Sequence, residues 1–308
     1  MLSIIVCSRH KALSKDFVDN IATTVGIDYE IIPINNSSRK YSIFSAYNAG
    51  FAKSNYPYIC FVHEDVLFHT QNWGERVIAH LQSPETGIIG LAGGDLVTRI
   101  PAYWSTLVYC IHITQSDKHG KKPTKHIQYP EDFKEPKRSV ILLDGVMMCL
   151  KRELMNKIRF DEQFKGFHGY DYDISIQSTL AGFTNYVIND IDLEHFSRGK
   201  PDAFFYRNLI SVFKKWEEFL PLTGKNVTKE HVLLIPEIEN RKLSRLIKKM
   251  ARTGFSTKDI LAETSYFASR IKSERIMKKL RTLRLNIFLI RLFNRPQYLF
   301  KQREKNRA

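Results

Sequence analysis

The stretch Tyr58-Ile59-Cys60-Phe61-Val62-His63-Glu64-Asp65-Val66 decides how this chain folds. Its first five residues form a short apolar run rich in aromatic and branched side chains, which reads as a buried strand. That run ends directly in two acids. A carboxylate at the carboxyl end of a strand reaches a ligand lying in the crevice there, and it suits a hard divalent cation. On this segment alone, Glu64 and Asp65 serve equally well as plain caps of the strand end.

Outward from this stretch, short apolar runs alternate with amphipathic ones. Residues 3–7, 29–34 and 87–91 read as strands, while 13–24, 43–53 and 72–82 carry helical spacing. Asn35-Asn36-Ser37-Ser38 closes the second strand as a loop. Strand and helix taking turns predicts an α/β fold whose parallel sheet has helices on both faces. The texture changes over residues 114–139, which are rich in Lys, Pro, Gly and His and read as a long loop. Residues 140–150 are apolar again, interrupted by Asp144-Gly145. Beyond residue 204 the pattern is helical, with Pro221, Gly224 and Pro236 as breaks.

Two more segments bear chemistry. His168-Gly169-Tyr170-Asp171-Tyr172-Asp173 opens a helix running to Gly182. Acids in a first turn are favoured by the helix dipole, so either Asp has an ordinary capping role open to it. An acid beside two aromatics also has its pKa raised toward that of a useful base. Asp192-Leu193-Glu194-His195 follows a short strand. A lone His is more often structural than a ligand, yet beside carboxylates from other loops His195 completes an oxygen and nitrogen metal site.

The 308 residues are 43% hydrophobic, which excludes a disordered chain. The formal charge is +15, from 47 Lys and Arg against 32 Asp and Glu. It is unevenly spread: residues 241–308 hold 20 of the basic residues and only Asp259, Glu263, Glu274 and Glu304 as acids. A nearly neutral body therefore carries a basic tail. Cys7, Cys60, Cys110 and Cys149 are scattered, as in a reduced cytosolic protein. The N-terminus reads as a first strand and not as a signal peptide, and no apolar run is long enough to span a membrane.

In their order, these pieces resemble the family 2 glycosyltransferases of the GT-A fold, nearest the bacterial branch that makes capsule and surface polysaccharide. The resemblance covers residues 2–220. It includes Ser3-Ile4-Ile5-Val6-Cys7-Ser8-Arg9, Glu30 through Ser38, the Asn-x-Gly helix at Asn48-Ala49-Gly50, and Asp144-Gly145 with Lys151-Arg152-Glu153-Leu154. Phe160-Asp161-Glu162-Gln163-Phe164 then leads into His168-x-Tyr170-Asp171-x-Asp173. Such a fold is Rossmann-like, with a mostly parallel central sheet, here followed by a basic α-helical extension. It implies a catalytic domain over 1–222, with a donor half to about 112, the loop 114–139 as a lid or acceptor loop, and an acceptor half over 140–222. Residues 205–221 resemble the family's closing helix, and 223–308 form the basic helical region.

The resemblance also implies roles. Ser8, Arg9, Asn35, Asn48, Glu64 and Asp65 would contact a nucleotide-diphosphate sugar, most often a UDP-sugar. Asp65 and His195 would hold Mg²⁺ or Mn²⁺ on the diphosphate, and Asp171 would be the general base. Asp144, His168, Tyr170 and Asp173 would face a glycan or lipid-linked acceptor. Two positions depart from the pattern: His63 stands where the first acid of the family's DxD motif would be, and Asn35 where many relatives carry Asp. These departures keep open a second reading, a non-catalytic α/β scaffold that binds a nucleotide or glycan.

The tail permits three readings. Ile276, Leu280, Leu283, Ile287 and Ile290 form one apolar stripe; Leu285, Phe288 and Leu292 form another, with Arg284, Arg291 and Arg295 between them. Attachment to an anionic membrane surface, on the inner face of the cell membrane, comes first. Helical packing or a homodimer comes second. Nucleic acid comes last, because no zinc-finger or RNP-type signature is present.

Overall fold

The computed structural model describes residues 1–117, 123–129, 135–197 and 201–293. The chain forms two compact units. The first takes residues 1–97, the described residues of 103–200, and 218–228; the second takes 98–102, 201–217 and the described residues from 229 onward.

The first unit opens with β1 (Leu2–Ser8), α1 (Lys15–Thr24), β2 (Tyr29–Asn35), α2 (Ile43–Lys53) and β3 (Tyr58–Val62). Next come β4 (Val66–Phe68), α3 (Trp73–Leu81), β5 (Thr86–Gly90), β6 (Ala92–Gly94) and β7 (Leu96–Val97). After residue 103 follow β8 (Tyr109–Gln115), β9 (Thr124–Gln128), β10 (Lys137–Val140), β11 (Leu142–Leu143) and β12 (Met147–Lys151). Then come α4 (Arg152–Lys157), α5 (Tyr170–Leu180), β13 (Thr184–Ile188) and β14 (Leu193–His195).

The central sheet has the order β10-β13-β5-β12-β3-β1-β2. Pairings of β1 with β2 and β3, and of β5 with β13, are parallel; β12 and β10 run against their neighbours. The sheet is thus mostly parallel in direction. Its strands alternate faces, as the two-residue period of a strand requires. Ile4, Cys60, Val62, Met147 and Cys149 join one core with Phe17 and Ile21 of α1 and Trp73, Val77 and Leu81 of α3. Ile5, Ile59, Phe61, Met148 and Leu150 join the other with Phe44, Tyr47 and Phe51 of α2, Leu154 of α4 and Ile174 of α5. Helices therefore cover both faces. Each buried side chain of this size contributes about 1.5–3 kcal/mol, so the sheet that carries the site is held firmly.

A second sheet, ordered β11-β6-β8-β14-β4 with β9 beside β8, stands next to it in the same unit. Residues 114–139 are accordingly not all loop. β8 continues to Gln115, and β9 pairs with it antiparallel from Thr124↔Gln115 to Gln128↔Ile111. Every residue of β9 is exposed, so no apolar alternation marks it as a strand. The lid expected in this segment falls partly on residues 118–122 and 130–134, outside the described residues.

The helical unit holds α6 (Ala203–Lys215); β15 (Leu222–Thr223) follows in the chain but pairs with β7 of the first unit. The unit continues with α7 (Lys229–Leu233), α8 (Ile235–Thr253), α9 (Thr257–Arg270) and α10 (Glu274–Phe293). Helix α6, expected to close the catalytic region, belongs here because Tyr206 and Ile210 share a core with Leu243, Met250, Phe255 and Phe267. Ile276, Leu283 and Ile287 of α10 are buried in that core, whereas Phe288 is 57% exposed. The side chains of Leu280, Arg284, Leu285, Arg291 and Leu292, and all of Arg295, lie outside the described residues. Among the described residues, no helix is long and apolar enough to cross a membrane.

Candidate active site

Strand pairing assembles the site at the carboxyl end of β3. His63 leaves that strand with its N–H donated to the Val146 carbonyl at 3.1 Å. β4 pairs antiparallel with β14 in the register His195↔Val66, and the Phe196 N–H binds the Asp65 carbonyl at 2.9 Å. His63, Asp65 and His195 thereby converge. One ligand atom from each lies within 4.8 Å of the others, and all three residues are half-buried. His63 Nδ1 is 3.4 Å from His195 Nε2, which is 3.5 Å from Asp65 Oδ1.

Tyr170 decides which nitrogen of His63 faces this group. Its hydroxyl donates to the Gly145 carbonyl at 3.0 Å, so its single proton is spent there. Toward His63 Nε2, 2.9 Å away, it is left as an acceptor, which places the imidazole proton on Nε2. Nδ1 then turns its lone pair to Asp65 and His195. Two glycines make this possible. Gly169, at φ 84°, turns the chain into α5, and a Cβ on Gly145 would stand 2.1 Å from the tyrosine oxygen.

Charge follows from the same packing. Burial, then His195, push His63 down to about 4, so it is neutral at pH 7. Burial alone would raise Asp65, but His195, His63 and Arg9 outweigh it and hold the carboxyl at about 2. A neutral imidazole at His63 and an ionised carboxylate at Asp65 are the states in which these groups can ligate a divalent cation. The donor set therefore fits such an ion, with His63 as a third ligand beside the expected Asp65 and His195. On the far side of the His195 ring, the Gln115 amide nitrogen lies 3.4 Å from His195 Nδ1 and also donates to the His195 carbonyl at 3.1 Å.

The donor-side residues divide. Ser8 donates to Glu64, and Arg9 Nε meets Glu64 Oε1 at 2.7 Å and its terminal nitrogen meets Asp65 at 3.6 Å. Glu64 thus holds Arg9 beside the ligand group without joining it. Asn35 sits opposite Ser8 across β1 and β2, exposed, its side-chain oxygen accepting from the Ser37 N–H and hydroxyl. Asn48 is not brought to the site. Its amide donates to the Phe160 carbonyl and to Glu162 at 2.8 and 2.9 Å, tying α2 to the segment before α5.

The expected acceptor side centres on two acids. Asp144 accepts from Trp104 Nε1 at 3.2 Å and from the Val146 N–H at 3.0 Å. The Trp104 N–H is in turn donated to the Tyr172 hydroxyl at 2.7 Å. Burial, then Asp144, raise Asp171 to about 7, against backbone N–H bonds that lower it. Asp173 is a correction: it is fully buried and accepts from Gln177 at 2.8 Å, so it fastens the helix and does not face an acceptor. His168 lies half-buried just ahead of Gly169, outside the three-ligand group. Sequence reasoning missed Trp104 and Gln115, which have no local signature, and passed over His63. His-x-Asp after an apolar strand was the available signal.

A family model described as "Glycosyltransferase like family" matches residues 3–194. The Streptomycin biosynthesis protein StrF of Streptomyces griseus is 24% identical over 173 residues, which are 54% of this chain and 57% of that protein. The match thus spans little more than half of that relative. Among solved structures, TarS of S. aureus in complex with UDP-GlcNAc aligns over 97% of this chain and 91% of its own, at TM-score 0.55 and 13% identity. The mannosyltransferase PcManGT from Pyrobaculum calidifontis, in complex with GDP-Man and Mn2+, aligns over 95% and 86%, at TM-score 0.51 and 11% identity. At such identities the likeness is one of fold, and that fold is GT-A.

Proposed function

The chain belongs to the glycosyltransferase like family, and from that premise we propose that it moves a sugar from a nucleotide diphosphate to a hydroxyl of a glycan or lipid-linked acceptor. The observation that carries this reading is the convergence of His63, Asp65 and His195 one tyrosine away from Asp171. One group suits a diphosphate-bound cation, the other a proton.

In this scheme Arg9 meets the donor diphosphate, and His63, Asp65 and His195 would hold a divalent cation against it. A cation held there would supply positive charge to the departing diphosphate. Two imidazoles and one carboxylate favour Mn²⁺ over Mg²⁺, which prefers oxygen ligands. Asp171 takes the acceptor's hydroxyl proton as that oxygen bonds to the anomeric carbon. The bond from that carbon to the diphosphate breaks on the opposite side, so the product is inverted. General-base assistance of this kind is worth about 10² to 10⁴ in rate. A UDP-sugar donor and a role in surface-polysaccharide assembly complete the proposal. Support for a nucleotide-sugar donor comes from fold relatives solved with UDP-GlcNAc or GDP-Man.

Thermal melting with UDP, GDP and dTDP, each with and without Mn²⁺, tests the donor half of the reading. Stabilisation by one diphosphate only when Mn²⁺ is present is expected, and it names the base. No response to any of the three would leave the non-catalytic scaffold as the better account.

A further inference from the structure

Helix α8 has one exposed face that, among the described residues, is covered by nothing and is mainly basic. Leu243, Leu246, Ile247 and Met250 bury its inner side in the core of the helical unit. On the outer side Arg245, Lys248, Lys249 and Arg252 are all exposed, at the i, i+3, i+4 and i+7 spacing of a single face. Among the described residues, none of the four side chains makes a hydrogen bond or an ion pair. The helix's two acids are engaged elsewhere: Glu237 with Arg241 at 3.7 Å, and buried Glu239 with Arg99 at 2.7 Å. Like charges one turn apart repel, so this face costs the free helix stability. It would gain from a surface of opposite sign.

The chain entering this helix is apolar and wet. No residue of α7 is buried. Val232 is 45% exposed, Leu233 80% and Leu234 42%. Leu234 caps α8 in a helical backbone conformation (φ −83°, ψ −11°), which puts it on the same face as Arg241 and Lys248, seven and fourteen residues on. A soluble polyanion would satisfy the cations and leave these three side chains in water. An anionic lipid surface satisfies both.

We propose that α7 and the outer face of α8 form a membrane-docking surface. Arg241, Arg245, Lys248, Lys249 and Arg252 lie against anionic headgroups, and Val232, Leu233 and Leu234 enter the acyl boundary. This moves the lipid-facing element away from the stripe of Ile276, Leu280, Leu283, Ile287 and Ile290, whose described members are packed in or against the internal core. The inference is independent of the transferase reading.

The test is co-sedimentation of the full chain with vesicles of phosphatidylcholine alone and of phosphatidylcholine mixed with phosphatidylglycerol. Wild type is expected to pellet only with the anionic vesicles. Replacing Arg245, Lys248, Lys249 and Arg252 together by Gln should weaken that binding at least about tenfold, with an unchanged melting temperature. The pair Leu233→Ser and Leu234→Ser should abolish the part of binding that survives high salt. The proposal is overturned if wild type ignores both vesicles, or if the Gln variant binds as wild type does. It is equally overturned if the Ser pair changes nothing while free polyglycerol phosphate competes fully, since the partner is then a soluble polyanion.

Discussion

Two carboxylates of the first unit have been driven apart in their proton affinity. On the donor side Asp65 sits among His195, His63 and Arg9 and is held at about 2. On the acceptor side Asp171 sits in a poorly solvated corner beside Asp144 and is raised to about 7. The residue type is the same, and the neighbours make one a permanent anion and the other a proton acceptor. Opposed shifts of this kind are how a fold assigns charge-binding and acid–base duties to equivalent groups.

The most damaging way to break this contrast is Asp171→Asn, which should lower turnover by about 10² to 10⁴ while donor binding, read by melting with the nucleotide diphosphate, persists. Full activity in that variant would remove Asp171 from the role. It carries a second signature. A carboxyl whose folded pKa is raised binds extra protons between its ordinary value and about 7, so it costs stability as pH rises through that window. Asp171→Asn should therefore melt higher than wild type at pH 8 and lose that advantage at pH 4.

Asp65→Asn attacks the other pole. It should eliminate the Mn²⁺-dependent part of the melting shift with a nucleotide diphosphate, and retention of that shift would disconnect Asp65 from the cation. A finer break is Tyr170→Phe, which frees the proton position of His63 without emptying the core. Loss of such a supporting bond typically costs about 10- to 100-fold in metal affinity, measured by Mn²⁺ titration, and an unchanged affinity would show the tautomer is set elsewhere. Asp144→Asn sharpens the contrast. The acid limb of the pH–rate profile, near 7 in wild type, should move to lower pH as the second-largest cause of the Asp171 shift is removed. The smallest expected effect is Asn48→Ala: about 1 kcal/mol of stability in urea unfolding, with donor KM unchanged.

The legible part of this molecule is the part whose signal is local. Residues 3–7 and 58–62 announce β1 and β3 because each is a mainly apolar run buried on both faces, while 29–34 announces β2 through its isoleucines on a half-buried edge strand. The second sheet left no such mark. β4, β6, β11 and β14 have two or three residues each, too few for a period, and exist because distant segments pair with them. The site divides in the same way. Asp65 and Asp171 stand beside recognisable strand and helix ends. The ligand role proposed for His63 depends on a tyrosine 107 residues downstream, and the duty of Asp173 on a glutamine bonded to it from the next turn. Asn48 reads like a donor contact because its motif is local, yet its partners lie more than a hundred residues away.

β14 has a consequence for how the protein ripens. Within three residues it pairs with both β4 and β8, binds Ser116 and His69 through Glu194, and delivers His195 to the ligand group. A slip of one residue would turn all of these to the wrong face. An ion that recognises only the in-register strand must stabilise that register by mass action. If the three-ligand group binds Mn²⁺, the ion should slow amide hydrogen exchange along β4, β8 and β14 with no nucleotide present.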